Sequence, residues 1–220
     1  MNMNKNINTK EYWEYRFKSG DWENKCGTEQ TRLFTLSQLE HLEIPTEFNG
    51  TILDFGCASG EALEILHDRF PNAKLIGVDL SENAIQTAKK NYGAIAEFFS
   101  GDESIVPDSD IIISSNVFEH LSEYYKIARK LLEKCKVLYI IVPYKEVIVP
   151  GDEHVNSFSE YTFSKFQNVK TKVFNSRGWT QYGFKLLFEI YLKNIIKFIL
   201  NKPTRKRSKQ IMFIIQKEVN

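Results

Sequence analysis

The sequence predicts an α/β fold, a doubly wound and mostly parallel sheet with helices on both of its faces. Apolar runs alternate with amphipathic segments between about residue 51 and residue 143. Several of these runs are apolar at nearly every position, which is typical of parallel strands buried on both faces. A glycine turn also joins the first run directly to a helical segment, as in a strand–loop–helix unit.

The periodicity places the elements in chain order. Strands are predicted at 51–56, 74–79, 95–100, 110–115, 136–143, 169–174 and 210–217. Helices are predicted at 11–18, 29–42, 59–70, 82–92, 122–135 and 184–200. Residues 144–167 are predicted to be irregular. We expect two units, an N-terminal helical lid over 1–50 and an α/β domain over 51–220 into which the 184–200 helix is inserted.

Length, net charge and cysteine content restrict the classes of protein to which this chain can belong. A length of 220 residues suits one α/β domain with a modest extension, and a net charge of +1 gives no global field to attract nucleic acid. The 3 cysteines lie far apart without metal-ligand spacing, so we predict a reducing compartment and no metal site. The first residues lack the apolar core of a signal peptide, and a cytoplasmic protein is therefore expected.

The glycine turn over residues 52–66 would present free backbone N–H groups to a polar ligand. Gly56 and Gly60 are present, but Ala58 and Glu61 occupy the other positions of a dinucleotide fingerprint. Glu61 would also point a carboxylate toward a bound phosphate. The loop therefore favours a nucleoside ligand without phosphates.

Two acids follow the next predicted strands. Asp79, with Leu80 beside it, ends the second strand, where an acid can accept both hydroxyls of a ribose. An N-cap for the following helix is the alternative role of Asp79, although Ser81 can provide that cap by itself. Asp102, after Gly101, is placed to accept from an adenine amino group or to lie in a solvated turn.

In these motifs the chain resembles the class I S-adenosylmethionine-dependent methyltransferases of the small-molecule type. The matching segments are Asp54-x-Gly56-x-x-x-Gly60, Asp79, Gly101-Asp102, 111–121 and 137–143. The resemblance implies a Rossmann-like sheet of seven strands with an antiparallel last strand. It also implies S-adenosyl-L-methionine as cofactor and S-adenosyl-L-homocysteine as product.

The predicted cofactor-binding residues are Asp54, Gly56, Cys57, Ala58, Gly60, Asp79, Leu80, Gly101, Asp102, Asn116 and Val117. Asp54 either organises the loop or contacts the cofactor. Cys57 is interpreted as a small loop residue and not as a nucleophile.

Two histidines are the candidate catalytic residues. His154 follows the fifth strand, in a segment that covers the acceptor pocket of similar enzymes, and can take a proton from an attacking hydroxyl or only anchor the loop. His120 follows the fourth strand and is either a base or a structural hydrogen-bonding group.

The N-terminal and C-terminal segments leave alternatives open. Trp13, Arg16, Trp22 and Thr31 either close over the cofactor or pack as an N-terminal lid. The 184–200 helix forms a wall of the acceptor pocket, a homodimer face or, with the basic run at 202–209, a peripheral membrane contact.

The sequence therefore predicts a methyltransferase for a small-molecule acceptor, most simply at oxygen. A sugar, a sugar nucleotide or a phosphorylated precursor of a surface polymer or secondary metabolite is the leading acceptor class. A quinone-like lipid acceptor, an NAD-linked oxidoreductase with a degenerate loop, and a binding module without turnover are the alternatives. No nucleic-acid partner is expected, because the charge is near neutral and no Asn-Pro-Pro-aromatic segment follows the fourth strand.

Overall fold

The computed structural model describes the chain over residues 7–176, 183–200 and 209–217. Its seven strands are β1 (Thr51–Phe55), β2 (Lys74–Asp79), β3 (Glu97–Ser100), β4 (Ile111–Ser115), β5 (Val137–Pro143), β6 (Val169–Asn175) and β7 (Lys209–Gln216). Its α-helices are α1 (Lys10–Lys18), α2 (Asp21–Asn24), α3 (Gly27–Leu39), α4 (Glu61–Arg69), α5 (Glu82–Tyr92), α6 (Tyr124–Glu133) and α7 (Gly183–Ile199).

The strands form one sheet in the order β3-β2-β1-β4-β5-β7-β6. The pairs from β3 to β5 are parallel, whereas β7 runs antiparallel to both β5 and β6. The predicted seven-stranded, mostly parallel sheet with an antiparallel last strand is confirmed. The strand order reverses between β1 and β4, and a sheet of this kind binds ligands beside the carboxyl ends of its strands at such a switch point.

Apolar side chains cover both faces of the sheet. Along β5, Leu138, Ile140 and Val142 join the core on the face of α6, while Tyr139 and Ile141 join the core on the face of α4 and α5. This alternation explains why the β5 sequence is apolar at every position. It also confirms the prediction of helices on both faces.

Most boundaries agree with the sequence prediction within two or three residues. The structure adds the short helix α2 and two single 3₁₀ turns, at Glu103–Ile105 and Phe118–His120. These elements are only three or four residues long, so they have no hydrophobic period that a sequence could reveal. Helix α4 begins at Glu61, later than predicted, because Gly60 adopts a left-handed φ of 91° as its N-cap.

The N-terminal helices are tied to the sheet domain by polar contacts. The carboxylate of Glu14 on α1 accepts hydrogen bonds from the backbone N–H groups of Glu82 and Asn83 and from the Ser81 hydroxyl. Glu14 thereby supplies a cap for α5 from a distant part of the chain, in addition to the cap that Ser81 itself makes to Ala84. This contact holds α1 against the start of α5.

Helix α7 presents an apolar surface. The side chains of Tyr191, Ile196, Phe198 and Ile199 are more than half exposed. No helix within the described ranges combines the length and the apolar character needed to cross a membrane. The basic run predicted as a membrane contact lies outside the described residues, except for Lys209 at the start of β7.

Candidate active site at the strand ends

A cavity of about 510 Å³ lies over the carboxyl ends of the parallel strands. Its volume is within the range of small-molecule and cofactor sites. Five successive strand ends contribute lining residues: Gly56 and Ala58, Asp79 and Leu80, Gly101 and Asp102, Asn116 and Val117, and Pro143. The structure thus brings together most of the predicted cofactor-binding residues in one cavity.

The glycine loop passes very close to the β4 loop. Gly56 has a φ of 83°, and a Cβ at this position would lie 2.2 Å from Cγ2 of Val117. The N–H groups of Gly56 and Cys57 both donate to the carbonyl of Val78. Position 56 therefore requires glycine, because any other residue would have an unfavourable left-handed backbone and a Cβ that collides with Val117.

The Asp79 carboxylate is held by two backbone N–H groups. Its Oδ2 accepts from the Ala58 N–H at 2.9 Å, and its Oδ1 accepts from the Ser81 N–H at 2.9 Å. Burial raises the pKa of Asp79 to about 6, against the lowering effect of these two hydrogen bonds. The carboxylate lines the cavity and keeps further acceptor capacity for a ligand.

Three of the predicted residues are buried and do not line the cavity: Asp54, Cys57 and Gly60. Asp54 is only 4% exposed, and burial, with the nearby Asp79 and Glu61 carboxylates, raises its pKa to about 7. Burial also raises the pKa of the Cys57 thiol well above its usual value, which disfavours a nucleophilic thiolate. The structure therefore favours a structural role in the loop for these residues over contact with the cofactor.

Two acids differ from what their sequence positions alone indicate. Glu61 is buried and accepts a hydrogen bond from the Thr28 hydroxyl on α3, so its carboxylate is engaged away from the cavity lining. Asp102 lines the cavity, but its Oδ1 accepts from the N–H and the hydroxyl of Ser104. These hydrogen bonds hold the pKa of Asp102 below its usual value, and the second carboxylate oxygen is the one available to a ligand.

Asn116 connects the cavity to a buried amide network. Its backbone is left-handed at φ 54°, and its Oδ1 accepts from Nε2 of the buried Gln210 at 2.8 Å. Gln38 on α3 donates to both Gln210 and Ser115. This network fixes the Asn116 side chain at the floor of the cavity.

The two candidate catalytic histidines lie next to each other. Their ring centroids are 4.9 Å apart, with an angle of 72° between the rings. Nδ1 of His120 is 3.0 Å from the carbonyl oxygen of Glu153, and Nδ1 of His154 is 2.5 Å from Oε2 of Glu146. Burial lowers the pKa of His120 to about 4, whereas the hydrogen bond to Glu146 raises the pKa of His154.

Glu119 adjoins this pair, and the sequence interpretation gave it no role. Its side chain is 1% exposed, and both of its carboxylate oxygens have no hydrogen-bond partner among the described residues. Burial raises the pKa of Glu119 to about 8. A buried carboxylate of this kind, facing a cavity, is a frequent mark of a functional site.

The N-terminal helices close one side of the cavity. Trp13, Arg16, Trp22 and Thr31 all line it. Nη1 of Arg16 donates to Oε2 of Glu153 at 2.6 Å, and the Tyr12 hydroxyl donates to the other oxygen of the same carboxylate. Helix α1 is therefore attached to the loop that carries His154.

Comparison with known proteins agrees with this fold. A methyltransferase-domain family model matches residues 52–137. An uncharacterised protein of Rickettsia prowazekii, RP789, is 30% identical over 166 residues, which are 68% of this chain and 29% of that protein. A malonyl-[acyl-carrier protein] O-methyltransferase of Anoxybacillus flavithermus is 31% identical over 97 residues, covering 40% of this chain and 38% of its own.

Among solved structures, the plantazolicin methyltransferase BpumL in complex with SAH superimposes with a TM-score of 0.54 at 19% identity, covering 97% of this chain and 98% of its own. The fold is Rossmann-like, and its cavity lies at the strand ends, where such sheets bind ligands. The segment from β1 to the first residue of β5 is therefore recognised as a methyltransferase domain of the class I, S-adenosylmethionine-dependent type. The match covers about a third of the length of the curated relatives, 29% and 38% in the two cases above.

Several residues of the site were not predicted from the sequence. Glu146 and Glu153 come from the segment expected to be irregular, and Gln38 and Gln210 come from opposite ends of the chain. The signal for Glu119 was its position directly before His120, in a segment that follows a buried strand. The other contacts join residues far apart in sequence and leave no local pattern.

Proposed function

We propose that this protein is an S-adenosylmethionine-dependent methyltransferase that transfers a methyl group to an oxygen of a small-molecule acceptor. The observation that carries the proposal is the shared cavity, in which the Asp79 carboxylate lies on the glycine-loop side and the His120–His154 pair on the other. One side is suited to a nucleoside and the other to proton transfer.

The residues on the cofactor side fit an adenosine without phosphates. Asp79 would accept hydrogen bonds from the two ribose hydroxyls, and Asp102 from the adenine amino group. The Val117 side chain fills the space that a Cβ of residue 56 would need, so only glycine lets the loop pass against the β4 loop at the point where the cofactor's methionine part would lie. Asn116, held by Gln210, would contact that part through its fixed side chain. When bound, the cofactor supplies an electrophilic sulfonium methyl.

On the acceptor side, His154 is the group proposed to take the proton of the attacking hydroxyl. An ionised carboxylate has no hydrogen to donate, so Nδ1–H of His154 donates a hydrogen bond to Glu146. Nε2 of the neutral ring is then the basic nitrogen. His120 donates in the same way to the Glu153 carbonyl. Positioned proton transfer of this kind contributes about 10²–10⁴-fold to a rate, in addition to the effect of alignment.

The acceptor class proposed first is a sugar, a sugar nucleotide or a phosphorylated precursor. Aromatic side chains of Trp13, Phe17 and Trp22 line the cavity, and such rings can pack against a sugar face. Lys25 and Lys209 also line it and can pair with phosphate oxygens. The aromatic wall equally fits a quinone-like ring, which is the second candidate class.

Calorimetric titration of the purified chain with S-adenosylhomocysteine and, separately, with NAD tests the cofactor. We expect micromolar or tighter binding of S-adenosylhomocysteine and none of NAD, because Ala58 replaces a glycine that the pyrophosphate needs. Binding of NAD alone would overturn the proposal in favour of an oxidoreductase. Transfer of labelled methyl to panels of sugar phosphates, carboxylic acids and dihydroxyquinones would then separate the acceptor classes and expose a binding module without turnover.

We also propose that α7 rests on an anionic membrane surface. Its exposed apolar side chains include Phe198 and Ile199, which are 79% and 74% exposed. Lys193 and Lys197 lie one turn apart on this helix, and a basic run follows it in the sequence. An amphipathic helix with lysines beside its apolar side is typical of interfacial binding. A homodimer formed through the same surface is the alternative outcome.

A further inference from the structure

The two histidines of the cavity, His120 and His154, lie close to the buried carboxylate of Glu119. One ligand atom from each of Glu119, His120 and His154 lies within 4.8 Å of the other two. In a tetrahedral site with bonds of about 2.0–2.1 Å, the ligand atoms are roughly 3.3 Å apart. The three side chains therefore need only small rotations to share one cation.

Both imidazoles make the second hydrogen bond that metal-bound histidines usually make. The Glu153 carbonyl oxygen can only accept, so Nδ1 of His120 carries the hydrogen and Nε2 keeps a lone pair. The Glu146 carboxylate fixes the same tautomer in His154. In metalloproteins a second hydrogen bond from the ligand's other ring nitrogen to a carbonyl or carboxylate fixes the ring and raises its basicity.

Glu119 is the independent observation that points to a cation. Its carboxylate is 1% exposed, and neither oxygen has a hydrogen-bond partner among the described residues. A buried carboxylate without partners is strongly unfavourable, and protonation would still leave its O–H donor unpaired. A bound divalent cation would satisfy both oxygens and compensate the charge.

All three side chains line the cavity, so a cation held by them would keep an open position toward the acceptor. Two imidazoles and one carboxylate with a free coordination position form the ligand set of catalytic zinc sites. Imidazole nitrogen disfavours Mg²⁺ and Ca²⁺, which prefer oxygen ligands.

We propose that Glu119, His120 and His154 bind one divalent transition-metal ion of the Zn²⁺ class, and that the acceptor oxygen occupies its open position. This inference rests on the proposed methyl transfer and makes it more specific. A hydroxyl bound to the ion would release its proton to solvent in the open cavity, since such an ion lowers the pKa of bound water to about 7. The alkoxide oxygen would then form the O–CH₃ bond while the S–CH₃ bond breaks, its electron pair remaining on sulfur. His154 would then be a metal ligand and not the base. The prediction from the sequence that the protein has no metal site would be wrong.

Metal binding is measured directly on the full chain. The protein is stripped with a chelator, dialysed against Zn²⁺ and analysed for bound metal, and Co²⁺ is then titrated while its visible absorption is recorded. We expect about one Zn²⁺ per chain and the intense Co²⁺ bands of a four-coordinate site. Wild-type protein that retains no stoichiometric metal, or a Co²⁺ spectrum without these bands, would overturn the inference.

Variants locate the ion. Glu119→Gln and His154→Gln each remove a ligand, and we expect each to weaken Co²⁺ affinity at least about a hundredfold. Glu146→Gln keeps all three ligands but changes their support, and the expected loss is about 10–100-fold. His67→Gln is the matched control, since His67 lies at the far end of α4 outside the cavity lining, and its affinity should equal that of the wild type.

Parallel titration with S-adenosylhomocysteine separates the possible failures. If the buried Glu119 variant does not fold, the partly exposed His154 variant carries the test, and unchanged metal affinity in His154→Gln would overturn the site. A wild-type protein that binds S-adenosylhomocysteine but no metal would overturn this inference alone and leave His154 as the base. A protein that binds metal but not S-adenosylhomocysteine would instead overturn the proposed function.

Discussion

The carboxylate of Asp79 accepts a hydrogen bond from the backbone N–H of Ala58 at 2.9 Å, which links the end of β2 to the glycine loop after β1. The other oxygen of the same carboxylate accepts from the Ser81 N–H. The acid proposed to bind the ribose is therefore also part of the structure that shapes the loop. A ligand would meet a carboxylate whose orientation is set before binding, which lowers the entropy cost of recognition.

Replacement of Asp79 by asparagine should weaken S-adenosylhomocysteine binding by about a hundredfold or more. A hydrogen bond to a charged acceptor is worth about 1.5–3 kcal/mol. In the variant, each of the two ribose hydroxyls would lose its hydrogen bond to the charged carboxylate. Isothermal titration calorimetry measures the change, with Asp68→Asn, an exposed position at the end of α4, as the control. A Kd within threefold of the wild type would contradict the ribose role.

Gly56→Ala should destabilise the fold and abolish cofactor binding, whereas Gly20→Ala should cost only backbone strain. Both glycines have a similar positive φ, 83° and 78°. A Cβ at residue 56 would lie 2.2 Å from Val117, but a Cβ at residue 20 would have nothing within 4 Å. A left-handed alanine costs about 1–2 kcal/mol, so chemical denaturation should give roughly that loss for Gly20→Ala and clearly more for Gly56→Ala. Equal losses would mean that the close approach to Val117 has no energetic weight.

The sheet could be predicted from the sequence, and the residues proposed to bind the cofactor could be selected from it, because their signals are local. Apolar runs identify buried strands. Asp79 is the last residue of its strand, Gly56 follows its strand directly, and Asp102 lies two residues after its strand. The acceptor side depends on contacts without a local signal. Glu153 contacts Arg16, and Glu14 on α1 caps α5, and these pairs are far apart in the chain and have no shared period. The burial of Glu119 was equally hidden, since a glutamate beside a histidine is polar in any sequence pattern.

Asp54 should make the ligand-free protein less stable as the pH rises. Burial raises its pKa to about 7 in the folded state, and an unfolded aspartate titrates near 3.9. Between these values the folded state binds more protons than the unfolded state, so the free energy of unfolding falls as the pH increases through this window. For Asp54 alone the loss between pH 6 and pH 8 is about 1 kcal/mol.

The pH effect is isolated by comparison with Asp54→Asn. Urea denaturation of both proteins at pH 6 and pH 8 measures their free energies of unfolding. The free energy of unfolding of the variant minus that of the wild type should be about 1 kcal/mol larger at pH 8 than at pH 6. The same substitution at the exposed Asp68 should leave the pH profile of the wild type unchanged. Parallel profiles for wild type and Asp54→Asn would contradict a raised pKa at this residue.

Glu153→Gln should loosen the N-terminal lid. The Glu153 carboxylate accepts from the Tyr12 hydroxyl and from Arg16, and both donors lie on α1. Loss of the charge weakens the contact with the largely buried Arg16 guanidinium. A loss of about 1.4 kcal/mol raises the equilibrium constant for local opening of α1 tenfold. Hydrogen exchange of the α1 amides should therefore become about tenfold faster. Glu40→Gln, an exposed glutamate at the end of α3, is the control, and unchanged exchange in Glu153→Gln would mean that other contacts hold the lid.

Phe198→Ser should reduce binding of the protein to anionic vesicles, and Tyr161→Ser should not. Both aromatic side chains are 79% exposed, but only Phe198 lies on the apolar surface of α7, close to Ile199 and Leu200. Full burial of such a side chain is worth about 1.5–3 kcal/mol, so the partition coefficient should fall by about tenfold or more. Co-sedimentation with phosphatidylglycerol vesicles measures it, and high salt should also reduce binding because basic side chains contribute. If neither variant changes sedimentation but Phe198→Ser converts a dimer to a monomer in size-exclusion chromatography, the α7 surface is a homodimer face and the membrane proposal fails.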